Sequence, residues 1–458
     1  MRKLKEHGTL DILSSEVFSV LQLCAIGEPL FPHLKILWLW DVTGKFVPFI
    51  PLFLSPRTTT ISIRFIRSNS PTAMVAPMVA AFPALCPNLQ EITFNSMPRD
   101  PMIVAAVSRM LIASNRNTLR SVCLDSPLTE EARGAISKFP NLRNLSVVIE
   151  RDTSLPSVDL PNLAALTVKY DRGSNWLPMF YGATFGKLES ITFISESEQD
   201  GDFLEAFERV ALTASVQNTL SRLRLYASHS WNPHYSSLLP FTQLTNITIG
   251  FPCDDDCSSK VDDDIITNLA RAMPKLQTLQ LGEPPCSKIP IGITVKGLVV
   301  LANRCLDLYD LQIHFQVASL STPVAIHRMT SNVESTARRR DCGLSELVVG
   351  EIPMPDDSVS VVALTLARIF PHLGYIDYVD ENWEKVLDAI SISKEIVDYS
   401  GKEATSLHLE VTLVTPPQKP RSKMVISRKR IPGLEPLQHY FEHSTSPLSD
   451  GCCDFLIN

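Results

Sequence analysis

The chain has 458 residues, 45% of them apolar and 20% charged, enough to bury a sizeable core and too apolar for wholesale disorder. Its 42 Lys and Arg against 49 Asp and Glu give a formal charge of −7, so the broad positive field that gathers phosphates is missing and a nucleic-acid partner is not expected. Glycine is scarce at 18 residues and proline plentiful at 33, which suits short stiff turns better than glycine-rich phosphate loops.

Residues 1–30 read as a helical lead-in or partial cap. Basic residues open the chain, but Glu6, Asp11 and Glu16 interrupt the apolar run that a secretory signal needs. The most apolar stretches, Phe46 to Leu54 and Ala73 to Cys86, each contain prolines and fall short of the ~20 residues that span a bilayer. A soluble protein without membrane contact is the expectation. Ten cysteines are too dilute for a disulfide scaffold. Cys86, Cys123, Cys305 and Cys342 sit in apolar runs where a reduced thiol packs as a small hydrophobe, pointing to the cytoplasm, or the nucleus. The sequons at Asn144 and Asn246 fall in predicted strands and carry no weight.

From Leu34 onward one pattern recurs, Leu-x-x-[Leu/Ile/Val]-x-[apolar]. Leu34, Leu37, Leu39 form the first copy, and Leu89, Ile92, Phe94 and Leu119, Val122, Leu124 are later ones. The series closes with Leu373, Ile376, Tyr378. A degenerate copy has Thr58 in place of the leading leucine, followed by Ile61 and Ile63. Thirteen copies from Leu34 to Leu373 give a mean spacing near 28 residues, with intervals of 21 to 36, which is the ~20–29 residue period of leucine-rich repeats. In a strand, positions 4 and 6 enter the core and 3, 5 and 7 face the other way. Position 5 is accordingly mostly polar, from Thr93 and Ser146 to Arg224, Gln280 and Asp377.

Helices are expected between the strands, at 261–273 behind the capping run Asp262 to Asp264, and at Thr129 to Lys138, Asp202 to Ser215, Thr294 to Arg304 and Asp357 to Ile369. Five strands are introduced by a proline that no helix continues through, as in Cys86-Pro-Asn-Leu, Phe139-Pro-Asn-Leu and Phe370-Pro-His-Leu. The unit is helix, proline turn, strand. Residues 31–415 are thus expected to form one α/β solenoid of about 13 irregular repeats, a leucine-rich-repeat horseshoe with parallel strands on the concave face and helices on the convex face. After Val414, three prolines and six basic residues from Lys419 to Arg430 begin a flexible tail, 416–458, which is either solvated or a nuclear-import or phosphate-binding signal.

The strand-opening motifs and the helix start Val261 to Leu269 resemble the leucine-rich-repeat region of F-box proteins, above all the divergent set of mushroom-forming fungi, over residues 25–415. The resemblance implies a substrate receptor that holds a target protein for ubiquitination. Family members carry an F-box beginning with a Leu-Pro pair that docks a Skp-type adaptor, and residues 1–33 contain no Leu-Pro. Adaptor binding is therefore expected only if another element supplies it, and the chain is either without an F-box or begins downstream of one. An adaptor-independent scaffold or inhibitor is the alternative.

The candidate partner-binding residues on the concave face are Arg222, Arg224 and Tyr226 on one strand, His229 and Trp231 in the loop behind it, and Lys169, Asp310 and His314 on neighbouring repeats. Arg, Tyr and Trp dominate binding hot spots because they combine contact area with directed donors, while basic residues that merely solvate the face are the competing reading. Trp38 and Trp40 also fall on the polar side, where packing under an N-terminal cap is preferred to a partner site. Cys253 to Cys257 with Asp262 to Asp264 fit neither zinc nor EF-hand spacing and read as a solvated loop feeding a capped helix. His439, His443, Cys452 and Cys453 lack paired Cys-x-x-Cys spacing and leave a metal reading open only there, so no metal and no cofactor is assigned. Nucleotide-binding, nucleophile-elbow and metalloprotease motifs are missing. A non-enzymatic, monomeric protein-binding module is the expectation.

Overall fold

The computed structural model describes residues 3–7, 15–24, 29–66, 72–149, 160–170, 185–195, 214–226, 235–250, 261–282, 292–320, 342–350, 352–378 and 380–400. Fourteen described strands form one sheet, every neighbouring pair parallel and the strand order identical to the sequence order. They are β1 (Lys3–His7), β2 (Ile36–Val42), β3 (Thr60–Phe65), β4 (Glu91–Asn95), β5 (Ser121–Pro127), β6 (Asn144–Ile149) and β7 (Ala165–Tyr170). The series continues with β8 (Ser190–Ser195), β9 (Arg222–Tyr226), β10 (Asn246–Gly250), β11 (Thr278–Leu281), β12 (Asp310–Gln312), β13 (Glu346–Gly350) and β14 (Tyr375–Tyr378).

Position 4 of each sequence repeat is in register with position 4 of the next, through Leu37, Ile61, Ile92, Val122, Leu145, Leu166, Ile191, Leu223, Ile247, Leu279, Leu311, Leu347 and Ile376. Positions 4 and 6 pack with the buried sides of the helices in one continuous apolar cluster. The helices therefore lie on one side of the sheet, and positions 3, 5 and 7 form its open face. Each leading leucine is buried, worth about 1.5–3 kcal/mol against solvent exposure. Thr58 fits the same place because its hydroxyl donates to the Leu34 carbonyl at 3.2 Å.

The proline motifs act as turns. In Cys86-Pro-Asn-Leu89 the Leu89 amide donates to the Cys86 carbonyl, and Leu142 to Phe139 and Leu373 to Phe370 repeat the bond, with proline at the position whose fixed φ suits it. Where the motif is Pro-Asn-Leu, the asparagine amide donates back to the preceding turn, Asn88 to the Pro56 carbonyl at 3.2 Å, Asn141 to Asn117 at 2.8 Å and Asn162 to Pro140 at 2.9 Å. A second ladder runs through position 2, whose carbonyl receives two amides from the next repeat. The Thr59 carbonyl takes Gln90 and Glu91, the Gln90 carbonyl takes Arg120 and Ser121, and the series continues to Ser345 with Gly374 and Tyr375.

Four of the five predicted helices lie within the described residues, as Glu130–Ile136, Asp263–Ala272, Val295–Arg304 and Val359–Ile369. Of the fifth, residues 202–213 lie outside them. Thr129, Asp262 and Thr294 cap their helices through side-chain oxygens. The acidic run Asp262 to Asp264 is structural: the Asp263 carboxylate accepts from the Thr294 amide and hydroxyl and from the Gly297 amide, at 2.6 to 3.0 Å, tying one repeat's helix to the next. A Cβ at Gly297 would sit 2.6 Å from that carboxylate.

Aromatic packing marks both ends of the described core. At the first, Phe18 of the helix Ser15–Cys24 packs on Phe46 and Phe49 with centroids 4.7 and 5.4 Å apart. At the other, Trp383 is fully buried, donates its indole N–H to the Ile352 carbonyl at 2.8 Å and meets Phe315 edge-on. The lead-in differs from expectation, because it contains strand β1 as well as a helix. Among the four cysteines read as reduced core thiols, Cys86, Cys305 and Cys342 are free and buried, and burial pushes the Cys305 thiol up to about 12. Cys123 is buried too, at position 5 on the side of the sheet away from the helices, but departs from that reading in being disulfide-bonded. Among the described residues no helix is long and apolar enough to cross a membrane.

Candidate protein-interaction surface

The open face is not uniform. On β2, β3, β9 and β10, buried and partly accessible residues alternate at nearly every step. On β5 to β8 everything after the first residue is buried, on both sides of the sheet. Cys123, Ser146, Thr167 and Thr192 at position 5 and Asp125, Val148, Lys169 and Ile194 at position 7 are all covered.

Lys169 is therefore not the exposed recognition residue that its position implied. Its ammonium is ion-paired with the Asp125 carboxylate, two strands away, with side-chain exposures of 2% and 6%. The other Asp125 oxygen accepts from the Ser96 amide at 2.9 Å, holding a non-glycine residue at φ 56°, a left-handed conformation that needs such support. Beside this pair the Ser146 hydroxyl is buried without a hydrogen-bond partner among the described residues.

Arg222, Arg224 and Tyr226 occupy positions 3, 5 and 7 of β9 and point to the open side, with Arg222 exposed and the other two half-buried. His229 and Trp231 lie outside the described residues. Asp310 is on β12, separated from Arg222 by β10 and β11, and so does not join the arginines in one cluster; His314 is half-buried just beyond the same strand. A polar ladder spans the gap. Thr248 donates to the Gln280 amide oxygen at 3.2 Å, and the Gln280 amide nitrogen donates to one Asp310 oxygen at 3.0 Å.

Around Asp310 the face is acidic. Asp310 pairs in register with Glu346, and Val348 with Asp377. Burial, then the Glu346 charge, pushes the Asp310 carboxyl up to about 6, and burial with Asp377 nearby raises Glu346. Reading position 5 alone misses this strip, since Asp310 and Glu346 stand at position 3. Trp38 and Trp40 on β2 are half-buried, beside β1, with Lys5 opposite Trp38 and His7 opposite Trp40. Arg64 stacks over Trp40 at 5.8 Å and reaches Asp41 at 3.5 Å.

Among the described residues no group of His, Cys, Asp and Glu could hold a metal ion. The runs 253–257 and 439–453 lie outside them. On the helix side a shallow depression is lined by Ser108, Arg109, Thr129, Glu130 and Glu131, but Ser108 is committed to the Thr129 amide. Compared with known proteins, the chain matches no family model, and no curated protein matches it significantly.

Proposed function

We propose that the chain is a leucine-rich-repeat horseshoe that recognises a protein on the concave face formed by β9 to β14, performing no bond chemistry itself. The observation that carries this reading is the in-register stacking of the repeats, which on β9 to β14 brings polar and charged side chains such as Arg222, Arg224, Gln280, Asp310 and Asp377 to a partly accessible face. Stacked repeats of this kind offer extended surfaces rather than enclosed pockets. In its narrower form, supported by the Pro-Asn-Leu turns and the resemblance they carry, the chain is the substrate-recognition part of an F-box-type ubiquitin ligase subunit, working in the cytoplasm or nucleus.

A second reading, an adaptor-independent scaffold or inhibitor, is favoured by β1, which commits residues 3–7 to the sheet. Co-expression of residues 1–458 with a Skp-type adaptor separates the two. Co-purification of a stoichiometric complex supports the ligase form, and its absence means that residues 1–458 supply no adaptor-docking element. The broader proposal is tested by reversing charge at Arg222 and Arg224, which should weaken capture of the cognate protein at least tenfold while leaving the circular dichroism spectrum unchanged. Unaltered capture places the recognition surface elsewhere.

A further inference from the structure

Asp310, Glu346 and Asp377 present three carboxylates on adjacent strands, and none has a cationic partner among the described residues. Asp310 is the most constrained. One of its oxygens is used by Gln280, and the other, Oδ1, is buried with no hydrogen-bond partner among the described residues. A donor brought to that atom by a small rotation of the Asp310 side chain would satisfy an acceptor that the fold itself leaves unmade. Tyr375, directly opposite Glu346 in the ladder, is 52% exposed and offers an aromatic face beside the acids. The carboxylates are spread along the sheet, and no described group meets the requirements of a metal ion.

We propose that the open face of β12 to β14 is a docking strip for a protein segment with basic side chains, laid across the strands so that its cations meet Asp310 with Glu346 and Asp377. This rests on the protein-recognition reading above and adds the chemistry of the partner. Strands are ~4.8 Å apart, so β12 and β14 are separated by about 10 Å, which an extended segment covers in about three residues. Two arginines or lysines three residues apart therefore fit. Arg222, exposed on β9, lies about 14 Å from β12 by the same spacing. It gives the face a positive pole, and a partner with an acidic residue four or five positions from its basic pair would be held in one direction.

The test is fluorescence anisotropy on the full chain with a labelled Gly/Ser peptide carrying two arginines three residues apart, against the same peptide with glutamates. The arginine peptide should bind, more tightly at low salt, and the glutamate peptide should not. Replacing Asp310→Asn, Glu346→Gln and Asp377→Asn together should weaken binding at least tenfold. Equal binding of both peptides, or no loss in the triple variant, overturns the proposal. Should the triple variant lose its circular dichroism signal, Asp377→Arg, at an exposed position, must still weaken binding threefold or more, and no change there is equally fatal. A tenfold gain on replacing the six cations between Lys419 and Arg430 by glutamine would assign the strip to the chain's own C-terminal segment and so overturn it too. If the peptide fails while charge reversal at Arg222 and Arg224 still abolishes capture, only the acidic strip is wrong.

Discussion

Strands β7 and β9 have the same repeat grammar, yet Lys169 on one is buried in an ion pair and Arg222 on the other is in solvent. A basic residue on a sheet face is thus structural or available for recognition according to what covers that face, and its place in the repeat does not decide which. Covered strands turn their polar positions into a second interior, where every charge must find a partner. On the open strands the same positions are mostly hydrated, at little cost to stability, and Asp310, with one oxygen buried, is the exception.

The sharpest test of this contrast is Lys169→Ala. It strands the Asp125 carboxylate in a buried site and should cost about 3–5 kcal/mol, read as a lower urea midpoint, with Ser96 and its neighbours losing amide-exchange protection first. Gly297→Ala, on the helix side, should cost about 1–3 kcal/mol by displacing the Asp263 carboxylate from three donors. If it melted like the parent, the tie between successive helices would carry no stability.

Asp310 extends the contrast to pH. Its carboxyl is raised to about 6 in the folded chain against 3.8 unfolded, so the folded state holds the proton more tightly. Its contribution is present below pH 3.8 and is lost as pH climbs through 6. Asp310→Asn should flatten the decline in stability between pH 4 and 7, measured by thermal melting across that range. A slope identical to that of the parent would assign the decline to other groups.

Ser146→Ala should be neutral or stabilising by about 1 kcal/mol, because its buried hydroxyl has no described hydrogen-bond partner to lose. Smallest of all, Arg222→Ala should move the melting midpoint within the ~0.5 kcal/mol typical of surface changes, while still reducing capture.

The repeat register was legible because a leucine at position 1 and apolar residues at 4 and 6 carry both strand period and burial. Thr58 shows the limit: a hydroxyl replaces the leucine, and only the Leu34 carbonyl explains why. Strand β1 was hidden, since of its residues facing Leu37 and Leu39 only Leu4 is apolar and the other is Glu6. The helix Thr72–Leu85 was obscured by Pro77 and Pro83, which argue locally against the helix that tertiary packing retains. Double burial did leave a trace. Leu145 to Ile149 and Ile191 to Ile194 are nearly continuous apolar runs, the sign of strands covered on both sides, whereas Arg-Leu-Arg-Leu-Tyr on β9 alternates. Lys169, on a covered strand, reads from sequence as one more polar residue of the face although it is buried in an ion pair, and of the acidic strip the sequence singles out Asp310 but not Glu346, which also stands at position 3.

The position-2 carbonyl ladder has a mechanical consequence. Because each carbonyl is clamped by two amides of the following repeat only, tension between the ends loads the clamps in series, and the weakest gives first. A chain pulled by its termini should therefore peel repeat by repeat, in a sawtooth of small force peaks, rather than rupture in one event.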